Sequence, residues 1–212
     1  MDLWFEQLAR NNHLSLKTGT YEGILGKTIF NTNGTRRYFL EKRWGDGGNI
    51  LTAIMMNPSN AAHNQSDDTV DQLIDVANVQ LGYDGLHVVN VSSIIDGTSR
   101  NVTSDQFAYD SINWSFISKA VSYGQITFLG WGMKGQHGII KQLDSHSEII
   151  NVFRNASEKL FTYEVLKSKD KKFITNPIYY VPHPRPLTEK EKYREHYIQP
   201  ITDLEFTQIF VR

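Results

Sequence analysis

Short apolar runs that each end on one polar residue recur along the chain, separated by stretches with apolar side chains at helical spacing. Ile50 to Met56 is the clearest run, mostly apolar and closed by Asn57-Pro58-Ser59. A run without alternation reads as a strand buried on both faces, and proline ends it by removing a ladder N–H and fixing φ. Leu86 to Val91 repeats the design and ends at Asn90-Val91-Ser92-Ser93, while Gln125 to Leu129 runs into Gly130-Trp131-Gly132. Ile178 to Val181 is a last strand, leading into Pro182-His183-Pro184. Between the runs, Val70, Leu73, Ile74, Ala77 and Leu81 predict a helix over about 68–81, stopped by Gly82. The capping box Thr103-x-x-Gln106 opens a second helix to about Ser122, with Phe107, Trp114, Ile117 and Val121 inward. A third is expected from about Gln136 to Phe153.

The flanks follow other periods. Residues 2–10 read as a short amphipathic helix with Leu3, Trp4 and Leu8 on one side. Asn33-Gly34 joins two arms of a hairpin, Thr28–Asn31 and Arg36–Trp44. Strict alternation in the second arm puts Tyr38, Leu40 and Trp44 on one face and Arg37, Glu41 and Arg43 on the other. This hairpin is expected to pack on an edge of the main sheet. Lys159 to Leu166 reads as a further strand, followed by a charged turn over Ser168 to Lys172. Thr188-x-x-Glu191 predicts a short charged helix ending by Pro200, and Glu205 to Val211 an edge strand. The alternation of strand and helix places the chain in the α/β class with a mainly parallel sheet. We read one domain, with an N-terminal extension over 1–48, a core over 49–187, and a C-terminal helix and tail over 188–212.

Composition narrows the chemistry. There is no cysteine, which excludes disulfides, thiolate zinc sites, iron–sulfur clusters and cysteine nucleophiles. The N-terminus lacks the basic and apolar regions of a signal peptide, and no run approaches the roughly 18 apolar residues of a membrane span. A cytoplasmic location and no membrane partner are the expectation. The net charge is −1, from 22 basic and 23 acidic side chains, so overall charge lends no support to duplex binding. Asp67-Asp68 stands where carboxylates cap a helix, with a divalent cation as the alternative reading. No third carboxylate accompanies the pair, and neither metal nor cofactor is expected.

The candidate chemistry lies at the strand ends. Asn57 before proline is a common turn former, and Asn90 at a strand end is commonly structural. His183 is stiffened by a proline on either side, which orients a side chain at low entropic cost. Right-handed crossovers bring the carboxyl ends of parallel strands to one edge, where open α/β sheets bind ligands. Asn57, Asn90 and His183 are therefore expected to converge on one cleft. Two amides and an imidazole suit a planar hydrogen-bonding ligand such as a nucleobase.

From Arg37 to Leu187 the sequence resembles an uncharacterised bacterial and phage family, the domain of unknown function numbered 1643. The matching pieces are MMNPSNA, DDTV, GYDGLHVVNVSS, Trp131-Gly132 and the late His-Pro. More distantly it resembles the uracil-DNA glycosylase superfamily, in the order Asn57-Pro58, VVN ending at Asn90, FLGWG, and HPRPL from His183 to Leu187. That resemblance implies a three-layer α/β/α fold with a mainly parallel four-stranded central sheet, extended here by the N-terminal antiparallel hairpin. It also implies roles in hydrolysis of an N-glycosidic bond. Asn57 would place the attacking water and His183 would donate to a base carbonyl as negative charge grows there. Asn90 would hydrogen-bond the base and Leu187 would wedge into the stack when a nucleotide flips out. Ser59, Trp131 and Arg185 complete the implied substrate-binding set. The sequence departs from the superfamily at Met55, where a glycine is usual, and at Arg185, where a serine is usual. Asn57 is no proton acceptor where the superfamily often has aspartate, and no clear aromatic follows it.

Three functions follow as expectations. The first is recognition of a nucleobase-containing ligand or DNA, with N-glycosidic hydrolysis. The second is a non-catalytic nucleotide- or nucleic-acid-binding module. The third is a metal-dependent phosphoesterase using His63, Asp67 and Asp68.

Overall fold

The computed structural model describes residues 3–96, 102–168 and 177–211. The N-terminal part consists of α1 (Trp4–Asn11), β1 (Ser15–Tyr21), β2 (Ile24–Phe30), β3 (Arg37–Arg43) and β4 (Ile50–Met55). Then come α2 (Asp68–Asp75), which widens into a π-helical turn over Val76–Gln80, and β5 (Gly85–Asn90). The next elements are α3 (Ser111–Tyr123), β6 (Ile126–Gly130), α4 (Gly132–Ser145), α5 (Ile150–Arg154) and β7 (Leu160–Thr162). The chain closes with β8 (Leu166–Lys167), β9 (Tyr179–Tyr180), β10 (Gln199–Pro200) and α6 (Asp203–Phe210).

The fold is mixed α/β. One eight-stranded sheet runs β1-β2-β3-β5-β4-β6-β7-β10. Its β5-β4, β4-β6 and β6-β7 pairings are parallel, and the strands outside them join antiparallel. The sheet is thus larger than the expected four strands, and its parallel part is β5, β4, β6 and β7. The N-terminal strands continue that sheet through β3, which pairs Leu40 with Val88 and Glu41 with His87. β1, which the pattern did not suggest, pairs along the whole of β2.

Every residue of β4 is buried, as its unbroken apolar run requires. Leu51, Ala53 and Met55 enter a cluster with Val70, Leu73 and Ala77 of α2 and its π-turn. Ile54 joins a second cluster with Phe116, Ile117, Ile139 and Phe153 of α3, α4 and α5. Thr52 is tolerated in this strand because its hydroxyl donates to the Ala120 carbonyl at 2.9 Å.

Four expectations need correction. The strand before His183 is not in the main sheet, since β9 pairs only with β8 in a separate two-stranded ribbon. Thr103 and Gln106 do form a capping box, but it opens only a turn over Ser104–Phe107, and α3 starts afresh where Asp110 accepts from Ile112 and Asn113 N–H. Thr188 and Glu191 start no helix. The Glu191 carboxylate is drawn to Arg185 and Arg194, at 3.3 and 3.0 Å, and the segment runs as i→i+3 turns. The tail is helix rather than strand. Thr202 and Glu205 form a reciprocal capping box, and Phe210 stacks on Phe153 with centroids 4.4 Å apart. The expected turn over Ser168 to Lys172 lies, after Ser168, outside the described residues.

Candidate functional site at the carboxyl edge of the parallel strands

The register of the parallel strands sets the geometry. Met55 of β4 lies opposite Asn90 of β5 on one side and Gly130 of β6 on the other. Neighbouring strands are about 4.8 Å apart, so the ends of three strands form one short row. Asn57 follows Met55 by two residues. His183 reaches the β6 end of the row. A Cβ on Gly132 would lie 3.5 Å from His183 Cβ, and one on Gly130 would lie 3.2 Å from Pro184 Cδ. Glycine is needed at 132 in any case, because its φ is +68°.

Asn90 is 2% exposed and forms the floor of this edge. Alternation from Leu86 and Val88 points its carboxamide toward the face that carries α2. There its Oδ1 accepts from the Arg37 guanidinium at 3.3 Å. From the other face, Asn113 of α3 donates to the Asn90 carbonyl at 2.8 Å and steadies the strand end.

Arg37 is the residue that sequence reasoning missed. Strict alternation puts it with Glu41, on the opposite face from Asn90. Between β2 and β3, however, Ile29 pairs with Phe39 and Phe30 with Arg37, so Tyr38 is an extra residue. Such a bulge shifts the alternation by one. Tyr38 and Phe39 both join the α3 cluster, and Arg37 turns to the Asn90 side. Its Nη1 also donates to the Ala61 carbonyl, and its Nε, buried, has no hydrogen-bond partner. Burial lowers its pKa to about 10, opposed by the nearby Asp67 carboxylate.

The loop between β4 and α2 closes over this region. Lys42, 1% exposed, donates from Nζ to the Gln65 carbonyl at 3.0 Å, so two buried cations hold the loop by its carbonyls. Gly26 makes room for it, since a Cβ there would meet the His63 carbonyl oxygen at 2.1 Å. Ser59 donates to one oxygen of Asp67, whose other oxygen caps α2 by accepting from Thr69 and Val70 N–H at 3.0 Å. Asn57 donates from Nδ2 to the carbonyls of Asp96 and Pro58, at 2.8 and 3.1 Å. It thereby ties the turn after β4 to the one after β5.

The His183 loop is stitched to α2. Gln72 donates to the Pro184 carbonyl at 3.3 Å and to the Tyr163 hydroxyl at 3.2 Å, and Arg185 reaches Asp68 at 3.0 Å. Burial drives the His183 imidazole down to about pKa 4, so it is neutral near pH 7. Its Nδ1 lies 3.1 Å from both the N–H and the carbonyl oxygen of Arg185, and in the tautomer that accepts from the N–H the ring proton is on Nε2. Leu187, just beyond, is 60% exposed.

Trp131 is not brought together with these groups. It is fully buried among Phe153 and Phe210, with its indole N–H on Gln136 at 2.9 Å. Asp67 and Asp68 likewise turn to separate partners, Ser59 and Arg185, and the buried Nδ1 of His63 has no hydrogen-bond partner. Among the described residues no group of three histidine or carboxylate side chains is arranged to hold a metal. A cavity of about 1170 Å³ opens elsewhere, between α4, α5 and α6, lined by Leu143, Ile150, Tyr179 and Phe210 among others.

No curated protein and no solved structure matches the chain. Residues 37–174 match the family model described as protein of unknown function (DUF1643). The matched stretch begins at Arg37, takes in Asn57, Ser59, Asp67, Asn90 and Trp131, and ends before the His183 loop. Since it spans well over half of the sequence, the chain belongs to the DUF1643 family.

Proposed function

We propose that the carboxyl edge of β5, β4 and β6 binds a nucleobase-containing ligand, free or within DNA, and hydrolyses its N-glycosidic bond. The observation that supports this most is the row of strand ends with Asn90 at one side and the neutral, proline-braced His183 at the other. Asn90 donates to the base from the floor. His183 donates from Nε2 to a base carbonyl, where negative charge grows as the glycosidic bond breaks. A neutral imidazole gives a hydrogen bond there without transferring a full charge into a buried site. With its Nδ2 fixed on two carbonyls, Asn57 keeps Oδ1 as an acceptor that orients the attacking water. Ser59 and Arg185 brace the loops beside the ligand, and Leu187 supplies an exposed apolar side chain to fill the stack.

The test is incubation with oligonucleotides carrying uracil, hypoxanthine or other modified bases, followed by detection of abasic sites. Cleavage lost in H183A supports the reading, and no product together with no base binding removes it.

A second reading, a binding module without turnover, is favoured by Asn57 itself. A carboxamide cannot take a proton from water, and half of this one is committed to the backbone. A nucleotide that raises the melting temperature without being cleaved selects this reading.

A further inference from the structure

The two edges of the eight-stranded sheet are finished differently. β10 closes one edge with only Gln199 and Pro200, and so short a strand with a proline offers little for another strand to pair with. β1 forms the other edge over 7 residues and pairs along β2 without a bulge. The turn between them decides which way its backbone points. Glu22 and Gly23 both have positive φ, 51° and 81°, as in a two-residue type I′ turn, so the flanking Tyr21 and Ile24 exchange hydrogen bonds across the hairpin. Alternation then sends the N–H and C=O of Gly19, Lys17 and Ser15 to β2, and those of Leu16, Thr18 and Thr20 outward. Among the described residues no backbone group meets the outward ones. Side chains do not block them either. Leu16, Lys17, Thr18, Thr20 and Tyr21 are exposed, and Lys17, the strand's one charge, leans back over the Phe30 ring of β2 at 5.5 Å.

We infer that β1 pairs with β1 of a second copy of this chain, antiparallel, across a two-fold axis at Thr18. A partner strand has to present its free groups in the same phase, and a second copy does so by symmetry. An axis at Lys17, Thr18 or Gly19 keeps outward groups facing one another. The first sets two lysines directly opposite, which is destabilising. The last leaves Leu16 facing Glu22 of the second copy, beyond the strand end. Only the axis at Thr18 uses every outward group, with Thr18 opposite Thr18 and Leu16 opposite Thr20. Lys17 then falls opposite Gly19, which has no side chain to crowd it. On the other face, the exposed Leu16 enters one row with Thr20 and the exposed Leu25 of the second copy. The two sheets become one, and the carboxyl edge of β5, β4 and β6 stays open because β2 and β3 lie between.

The test is the mass of the full chain in solution, read by light scattering over a concentration series. The wild type is expected at twice the mass of one chain, and T18K, which sets two ammonium groups face to face, at the mass of one. Hydrogen exchange checks that the hairpin survives the change. The Leu16 and Thr20 amides should exchange slowly in the wild type and fast in T18K, while those of Lys17 and Gly19, bonded to β2, stay slow in both. Because the sequence has no cysteine, T18C and T20C each carry a single thiol. T18C should oxidise to a cross-linked pair, since opposed residues in such a ladder have Cα atoms about 5.5 Å apart. T20C should not, since its counterpart lies about 13 Å further along. If T18K does not fold, T18C against T20C decides alone. A monomeric wild type overturns the pairing and leaves the edge to a strand of a different chain. A dimer that T18K leaves intact, or T20C cross-linking as readily as T18C, overturns it as well. None of these results touches the nucleobase reading.

Discussion

Two polar clusters are buried between β3 and β5, on opposite faces of the sheet, and they have opposite characters. Glu41 lies directly opposite His87 and accepts from its Nε2 at 3.3 Å, with Arg43 at 3.5 Å. Aromatic rings close over the imidazole, with Phe39, Tyr123, Trp4 and Phe5 centred 4.8 to 6.1 Å from it. Burial holds His87 below the usual histidine range. Burial also pushes the Glu41 carboxyl up, but the His87 hydrogen bond and the charges around it outweigh this, and the net shift is downward. In mid-strand, under a hydrophobic lid, the Glu41 carboxylate is met by a neutral imidazole and by the Arg43 guanidinium. Arg37 and Asn90, by contrast, sit at the strand ends, where the ladder stops and loops take over. The cation there holds an amide and a loop carbonyl, and one of its donors is left over. Each cluster leaves one buried nitrogen unpaired, so what separates them is place: a pair enclosed by aromatic rings in mid-strand braces a fold, whereas polar groups at strand ends, beside loops, lie where a ligand can be met.

The largest effect should come from opening the closed cluster. Glu41→Ala strips the acceptor from His87 and leaves Arg43 without its carboxylate, so urea unfolding should show a loss of about 3–5 kcal/mol. Ligand affinity, measured below the unfolding range, should be unchanged. Arg37→Met should cost somewhat less, about 2–4 kcal/mol, because it orphans two neutral acceptors, Asn90 Oδ1 and the Ala61 carbonyl. Its affinity for the nucleobase ligand should fall sharply. If the two variants lose equal stability and neither alters binding, the distinction between brace and site is gone.

The smallest effect is pH. His87 and His183 both have folded pKa values below the unfolded value, the latter about 4. The unfolded chain therefore binds more protons between about pH 6.5 and the folded pKa values. Their contribution to stability is complete above about pH 6.5 and declines as pH falls, by at most about 1.4 kcal/mol per pH unit for each group. His183→Gln should flatten part of that decline and leave the His87 part. An unchanged slope would mean that His183 is not held neutral by burial.

Much of this was legible beforehand. The apolar runs placed β4, β5 and β6 to within a residue or so, because a strand buried on both faces tolerates almost nothing polar. Asn33-Gly34 marked the β2–β3 connection, and Asp67 was readable as the cap of α2. The C-terminal segment misled because a capping box is a local signal with a non-local competitor. Glu191 found guanidinium groups and its helix did not form, whereas Glu205 had no such rival and α6 did.

The chain's own pattern of apolar and polar residues determined which segments are strands and which of their ends carry amides or an imidazole. Only the tertiary structure decided which way Arg37 faces, since one extra residue in β3 reverses the side-chain alternation without leaving a compositional mark. It likewise took Trp131 into the core and detached the His183 strand from the sheet, while still setting His183 against Gly132, just after β6. Periodicity is a property of a few consecutive residues, whereas register, bulges and loop closure come from packing between segments far apart in the sequence.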